Sequence, residues 1–158
     1  MRWRLVAAGT RLPAWVNDAC ADYAARFGSG LRFELREIPV TSRNRGTDTA
    51  RARDQEGARM LAALDAGTYV VTLEVGGRAL SSEALARWMA ERQRDGRDVA
   101  LLIGGPDGLA PACLARADYR WSLSPLTFPH GLVRVMVVEQ LYRAQSILMS
   151  HPYHRGAP

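Results

Sequence analysis

Three stretches of this chain concentrate groups that could hold a ligand or move a proton. Ile103-Gly104-Gly105-Pro106-Asp107-Gly108 places two glycines directly behind an apolar run. Without Cβ atoms, Gly104 and Gly105 leave backbone N–H and C=O groups open to a closely approaching ligand. The composition Gly-Gly-Pro-Asp-Gly equally satisfies a plain turn. Leu123-Ser124-Pro125-Leu126-Thr127-Phe128-Pro129-His130 mixes apolar side chains with two prolines, which suits a rigid apolar slot whose backbone recognises a purine edge. The third stretch follows Thr72-Leu73-Glu74, again behind an apolar run.

The three histidines, His130, His151 and His154, all fall in the last 29 residues. His130 adjoins the proline-containing loop. His151-Pro152-Tyr153-His154-Arg155 forms a polar, aromatic tail in which tyrosine and histidine can stack on an extruded base and arginine can bind phosphate. Chain ends are also where disorder concentrates. Upstream, Glu139, Tyr142 and Arg143 span about one helical turn. Either Tyr142 and Arg143 face RNA, or Glu139 and Arg143 pair at i, i+4. Arg134 sits near a helix start, where a cation opposes the helix dipole, so a ligand phosphate or a dimer partner would have to compensate. Cys20 and Cys113 stand apart from each other and from histidine spacings that bind metal, and are expected as small core thiols with no metal site.

The elements that must position these groups alternate strand and helix. Arg2 to Ala8 reads as a strand. Pro13 opens a helix with Trp15, Ala19, Tyr23 and Phe27 on its apolar face and Val16 and Cys20 beside them, closed by Gly28 and Gly30. Leu31, Phe33 and Leu35 alternate with charged residues as in a half-exposed strand that Pro39 ends. The polar segment Thr41 to Asp48, with Arg43 and Arg45, is either a solvated connection or a phosphate grip. Asp48 or Thr49 caps a helix to about Leu64, and Tyr69 to Leu73 is a buried strand. Ser81 or Ser82 caps a helix that Gly96 ends. Val99 to Ile103 is another buried strand, followed by a short helix from Pro111 and a strand at Tyr119 to Ser122. The last helix runs roughly from Leu132 to Ser150. This is an α/β domain with a mostly parallel sheet, whose ligand crevice is expected beyond the carboxyl ends of the strands.

At 158 residues the chain is long enough for one core, and no composition break or repeat divides it, so residues 1–158 read as a single domain. No apolar run reaches the ~20 residues that span a bilayer. Leu5 to Ala8, behind the basic Met1-Arg2-Trp3-Arg4, is too short for a signal peptide, so the default is a cytoplasmic protein. The net charge is +5 and every one of the 21 basic residues is arginine. A basic surplus favours an anionic partner such as RNA, and arginine suits phosphate forks and base stacking. Without lysine there is no Walker loop. G-x-G-x-x-G, G-x-S-x-G and H-E-x-x-H are also absent, which disfavours dinucleotide oxidoreductases, serine hydrolases of the elbow type and zinc proteases.

The segments LLIGGPDGL, WSLSPLTFPHGLVRV, EQLYRA and HPYHR, in this order, together with the opening LVAAGT, PAWV and a Y-x-x-R-F helix, resemble the ribosomal-RNA pseudouridine N3-methyltransferase family RlmH. The resemblance runs from about Leu5 to Arg155; Gly156-Ala157-Pro158 extends slightly past the family's usual end. It implies a SPOUT fold with a carboxyl-terminal trefoil knot, a homodimer with its cofactor site beside the subunit interface, and S-adenosylmethionine as cofactor. Carried onto this chain, the cofactor-contacting positions are Leu73, Gly104, Gly105 and Leu123, Ser124, Pro125, Leu126, Thr127 and Phe128. The implied substrate is a pseudouridine in helix 69 of 23S ribosomal RNA on the assembled ribosome.

Methyl transfer requires the acceptor nitrogen to be held in line and its proton removed. His154, Arg155 and His130 are the candidate catalytic residues, with His154 preferred as base. Arg134, Tyr142, Arg143, His151 and Tyr153 are the candidate RNA contacts, with Arg2, Arg43 and Arg45 as possible contributors to ribosome recognition. Two rivals remain. A non-catalytic RNA-binding protein would ignore S-adenosylmethionine, and a SPOUT enzyme of transfer RNA would prefer that substrate.

Overall fold

The computed structural model describes residues 1–155; residues 156–158, included in the expected single domain, lie outside the described residues. The chain alternates β1 (Trp3–Ala8), α1 (Ala14–Arg26), β2 (Phe33–Ile38), α2 (Thr49–Ala62), β3 (Tyr69–Ala79), α3 (Ser82–Asp95), β4 (Val99–Ile103), α4 (Pro111–Arg116), β5 (Tyr119–Ser122) and α5 (His130–Leu148), and ends in a 3-10 turn, Pro152–Arg155. The five strands form one sheet in the order β2-β1-β4-β3-β5, and every pairing is parallel. The α/β architecture expected from the alternation is therefore what forms.

Helices cover both faces of the sheet, and the strands divide their side chains accordingly. Trp3, Leu5 and Ala7 of β1 and Val99, Leu101 and Ile103 of β4 enter one core, with residues of α1, α3 and α5. Val6 and Ala8, with Ala100 and Leu102, enter the opposite core against Met60 of α2 and Cys113 of α4. This period-two division explains why both strands read as unbroken apolar runs. Capping follows the sequence: Asp48 accepts from the Arg51 N–H, Ser81 accepts from the Ala84 N–H, and Gly96 closes α3 with a left-handed φ of 77°.

Two expectations are corrected. In α1 the buried face is carried by Val16 and Cys20, continued by Phe27, while Trp15 is 56% exposed. The apolar face of α1 turns one position away from Trp15, so that the smaller Val16 and Cys20 enter the same core as Val137, Val138 and Leu141 of α5. The strand expected to stop at Leu73 continues to Ala79, with an irregularity: Leu73 and Arg78 both pair with Trp121. The intervening residues bulge out of the ladder. Gly77 presses so close to β5 that a Cβ there would lie 2.8 Å from the Trp121 carbonyl carbon.

At the amino ends of the strands, aspartates hold backbone donors. Asp98 accepts from the Arg2 N–H at 2.6 Å and from Arg2 Nε at 2.9 Å. Burial alone would raise its carboxyl; the hydrogen bonds and charge of Arg2 outweigh burial and hold it below the ordinary aspartate range. Asp118 is held low in the same way: burial opposes, while the Val70 N–H and Arg116 prevail. Burial raises both cysteine thiols, and each cysteine is buried and free, as expected of core residues.

Candidate active site

The opposite edge of the sheet, at the carboxyl ends of β3, β4 and β5, carries a cavity of about 450 Å³. Its walls come from the loops after β4 and β5 singled out in the sequence and, where a third loop was expected, from the bulge inside β3. Leu73 begins one wall, Gly104 and Gly105 form the floor, and Leu123, Ser124, Leu126, Thr127 and Phe128 form the third side. Pro125, expected with them, is not among the lining residues. His130, the first residue of α5, lies at the same cavity.

The loop after β4 is a closed turn. The Gly108 N–H donates to the Gly105 carbonyl at 3.1 Å, and Gly108 takes a left-handed φ of 76°. This changes the reason for the glycines. A Cβ on Gly104 would fall 2.5 Å from the Gly108 carbonyl carbon and 2.7 Å from the Leu109 nitrogen; one on Gly105 would meet Ala8, Glu56 and Val40 at 3.4–3.5 Å. At Gly104 the turn's own backbone leaves no room for a side chain, whereas at Gly105 a Cβ would make ordinary contacts.

The loop after β5 braces itself. The Leu126 N–H donates to Ser124 Oγ at 3.0 Å, and Ser122 Oγ donates to the Ser124 carbonyl at 3.0 Å. Leu126, 68% exposed, stands at the mouth. Beyond the positions that the resemblance implied, further residues complete the lining. Glu74 and Val75 belong to the β3 bulge, Pro106 and Asp107 to the turn, and Leu109, Leu114 and Val133 to neighbouring helices and their approaches. The Gly76-Gly77 pair behind an apolar strand was the available signal for the bulge. The lining holds two carboxylates, Glu74 and Asp107, and no arginine. Glu74 stands 3.6 Å from Arg120.

Arg134 was expected to contact RNA; the structure corrects this. It has no exposed surface. Its Nη1 donates to Glu37 at 2.7 Å and its Nη2 donates to the Gly9 carbonyl at 3.2 Å. Glu37, not a phosphate, compensates the cation at the start of α5.

The tail is folded back on α5. Ser150, with a left-handed φ of 54°, reverses the chain, and the His151 N–H donates to the Ser146 carbonyl at 2.8 Å. Tyr153 packs on Tyr142 with ring centres 4.7 Å apart, and its hydroxyl donates to Glu139 at 2.9 Å. Burial, then Tyr23 and Glu139, raise the Tyr153 phenol well above its ordinary range. Arg143 donates twice to the same Glu139 oxygen, at 3.0 and 2.7 Å, so the i, i+4 ion pair left open by the sequence is formed. The His154 ring bonds the His151 carbonyl. This cluster does not meet the cavity within one chain: Tyr142 lies about 18 Å farther along α5 than His130 at 1.5 Å per residue.

Among the described residues, no three His, Cys, Asp or Glu side chains gather as metal ligands would. Among the same residues, no helix is long and apolar enough to cross a membrane.

Comparison with known proteins accounts for this arrangement. A family model described as a predicted SPOUT methyltransferase matches residues 1–154. A protein of Alkalilimnicola ehrlichii named ribosomal RNA large subunit methyltransferase H is 57% identical over 99% of this chain and 100% of its own length. Proteins of the same name from Thioalkalivibrio sulfidiphilus and Pseudomonas paraeruginosa are 53% and 51% identical, each over 98% of this chain and 99% and 100% of their own lengths. With a parallel α/β sheet, a cavity at its carboxyl edge built by the loops the resemblance singled out, and matches of this extent, the chain belongs to the RlmH family of SPOUT methyltransferases.

Proposed function

We propose that the chain is an S-adenosylmethionine-dependent methyltransferase of large-subunit ribosomal RNA, acting at N3 of a pseudouridine in helix 69 of 23S ribosomal RNA on the assembled ribosome. The observation that carries this reading is the cavity shared by the β3 bulge and the loops after β4 and β5. Its volume suits a small-molecule site. Its lining is mainly apolar, with a few polar groups among them, Ser124, Thr127 and His130, as small-molecule sites commonly are. The relatives' shared name supports the ribosomal substrate.

When bound, S-adenosylmethionine supplies an electrophilic methyl group. The protein's part is to hold, orient and shield. Leu73, Leu123, Leu126 and Phe128 provide apolar walls that exclude water, and Gly104 and Gly105 present backbone. Ser124 and Thr127 add hydroxyls to the lining, and Pro125 stiffens the loop that carries them. His130 stands at the α5 end of the cavity. Because the tail lies far along α5 from its own cavity, His154 and Arg155 reach a cavity only from a partner chain; this favours a homodimer. In that arrangement His154 accepts the N3 proton and Arg155 stabilises the deprotonated base. Tyr153 and His151 meet the nucleotide, and Tyr142 and Arg143 support them. The threading of the chain as a trefoil knot, the single-domain extent to residue 158 and a cytoplasmic location complete the reading.

The test is incubation of the purified protein with tritiated S-adenosylmethionine and, separately, assembled ribosomes, free subunits and transfer RNA. Label mapped to a helix 69 pseudouridine of assembled ribosomes is expected. Label confined to transfer RNA refutes the substrate. No label on any RNA, with no cofactor binding by calorimetry, leaves a non-catalytic RNA binder. Mixing His154→Ala chains with chains carrying an inactive cavity tests the shared site. Recovery of a fraction of activity is expected, and none would refute it.

A further inference from the structure

The segment 41–48 reads from sequence as either a solvated connection or a grip for phosphate. Its Arg43 does neither. Nε donates to Asp107 Oδ2 at 2.7 Å, and Nη1 donates to Glu56 Oε1 at 2.6 Å and to the Thr41 carbonyl. Nη2 is closed off from solvent without a partner. No edge of the fork is free for RNA. Glu56 is itself buried in α2, its side chain 3% exposed, an unusual place for a carboxylate unless it is paired. Its second oxygen lies 3.4 Å from where a Gly105 Cβ would stand, and Val40 lies 3.5 Å from the same point. Arg43 therefore ties a buried acid of α2 to Asp107, a residue of the turn that floors the cavity.

The turn needs such a tie. Residues 104–108 include three glycines, whose backbone loses the most freedom on ordering. Within the turn, one backbone hydrogen bond, Gly108 to Gly105, closes it. We propose that Arg43, anchored on Glu56, is a positioning residue that fixes Asp107 and so holds the Gly104–Gly108 turn ready for the cofactor. The proposal rests on the reading of the cavity as the S-adenosylmethionine site. A guanidinium serves here because it can present separate N–H donors to two carboxylates at once, which an ammonium cannot do in the same geometry.

The test is calorimetric titration of S-adenosylmethionine into wild-type protein, Arg43→Ala, Asp107→Ala and the double variant, with melting curves and the KM for ribosomes measured alongside. Loss of one charge-assisted bond on each side predicts that either single change weakens cofactor binding about tenfold. The double variant is expected to lose no more than the worse single, and the ribosome KM to stay unchanged. If Arg43→Ala unfolds because Glu56 loses its partner, Arg43→Lys keeps the charge and carries the comparison; it too is expected to bind the cofactor more weakly. Wild-type affinity in a folded Arg43 variant overturns the proposal. Losses that multiply in the double variant also overturn it, since Asp107 would then act by direct contact alone. A raised ribosome KM with unchanged cofactor affinity would restore the phosphate grip in its place. Wild-type protein that binds no cofactor overturns the reading of the cavity first, and the proposal with it.

Discussion

Adding one methyl group to Gly104 tests the explanation of the glycine turn directly. In the structure a Cβ at that position stands 2.5 Å from the Gly108 carbonyl carbon, 2.7 Å from its oxygen and 2.7 Å from the Leu109 nitrogen. Ordinary carbon contacts begin near 3.5 Å, so the overlap is about 1 Å. The atoms in the way are backbone, which cannot rotate aside as a side chain would. Overpacking of this kind costs about 1–3 kcal/mol. For a chain of this size that lowers Tm by roughly 2–4 °C per kcal/mol, a fall of several degrees. The turn relieves the overlap only by moving, and a displacement of about 1 Å in a positioning element lowers catalytic efficiency by roughly 10²-fold. Gly105→Ala is the control: its Cβ meets Ala8 and Glu56 at 3.4 Å, a contact that small shifts absorb. Thermal melts and calorimetric titration with S-adenosylmethionine on both variants give the comparison. Gly104→Ala with wild-type Tm and affinity, or Gly105→Ala disrupted to the same degree, would refute the reasoning that self-packing, rather than ligand clearance, fixes Gly104.

Three further outcomes are expected. Glu37→Gln leaves the buried Arg134 cation without its carboxylate and destabilises by about 2–3 kcal/mol, below the range for a fully buried pair because Glu37 is partly exposed; urea unfolding reads this, and unchanged stability with weakened ribosome binding would return Arg134 to the RNA surface. The folded Asp98 carboxyl titrates below its ordinary range, because the Arg2 bonds outweigh burial. Its stabilisation is therefore complete above the unfolded value near pH ~3.9 and lost as pH falls through the depressed folded value; unfolding measured from pH 7 down to 2 should show a shallower acid decline for Asp98→Asn than for wild type, and equal slopes would refute it. Tyr153→Phe keeps the ring on Tyr142 but removes the donor to Glu139, which costs about 1 kcal/mol and loosens the tail; amide exchange at residues 151–155 should quicken while that of β4 does not, and unchanged exchange in the tail would count against the contact.

The order and kind of the elements were legible in the chain, because strand and helix periodicity are local. VALLI can only be a strand covered on both faces, and Asp48, Ser81 and Gly96 mark helix ends through bonds made within a few residues. The sequence also marked two of the loops that line the cavity, because Gly104-Gly105 and the Leu123–Phe128 stretch directly follow apolar strands of an expected mostly parallel sheet. What it left open were choices between partners far apart in the chain. Arg134 and Glu37, Arg43 and Glu56 with Asp107, and Tyr153 with Glu139 and Tyr23 are pairs whose members lie on different elements or beyond one helical turn. No periodicity relates them, so an arginine that faces RNA and one that neutralises a buried acid look alike in sequence. The β3 bulge and the outward turn of Trp15 were decided in the same way, by which neighbour each side chain met once the sheet had closed. The tertiary structure alone settled these, because burial and charge compensation depend on distances in space that the linear order does not encode.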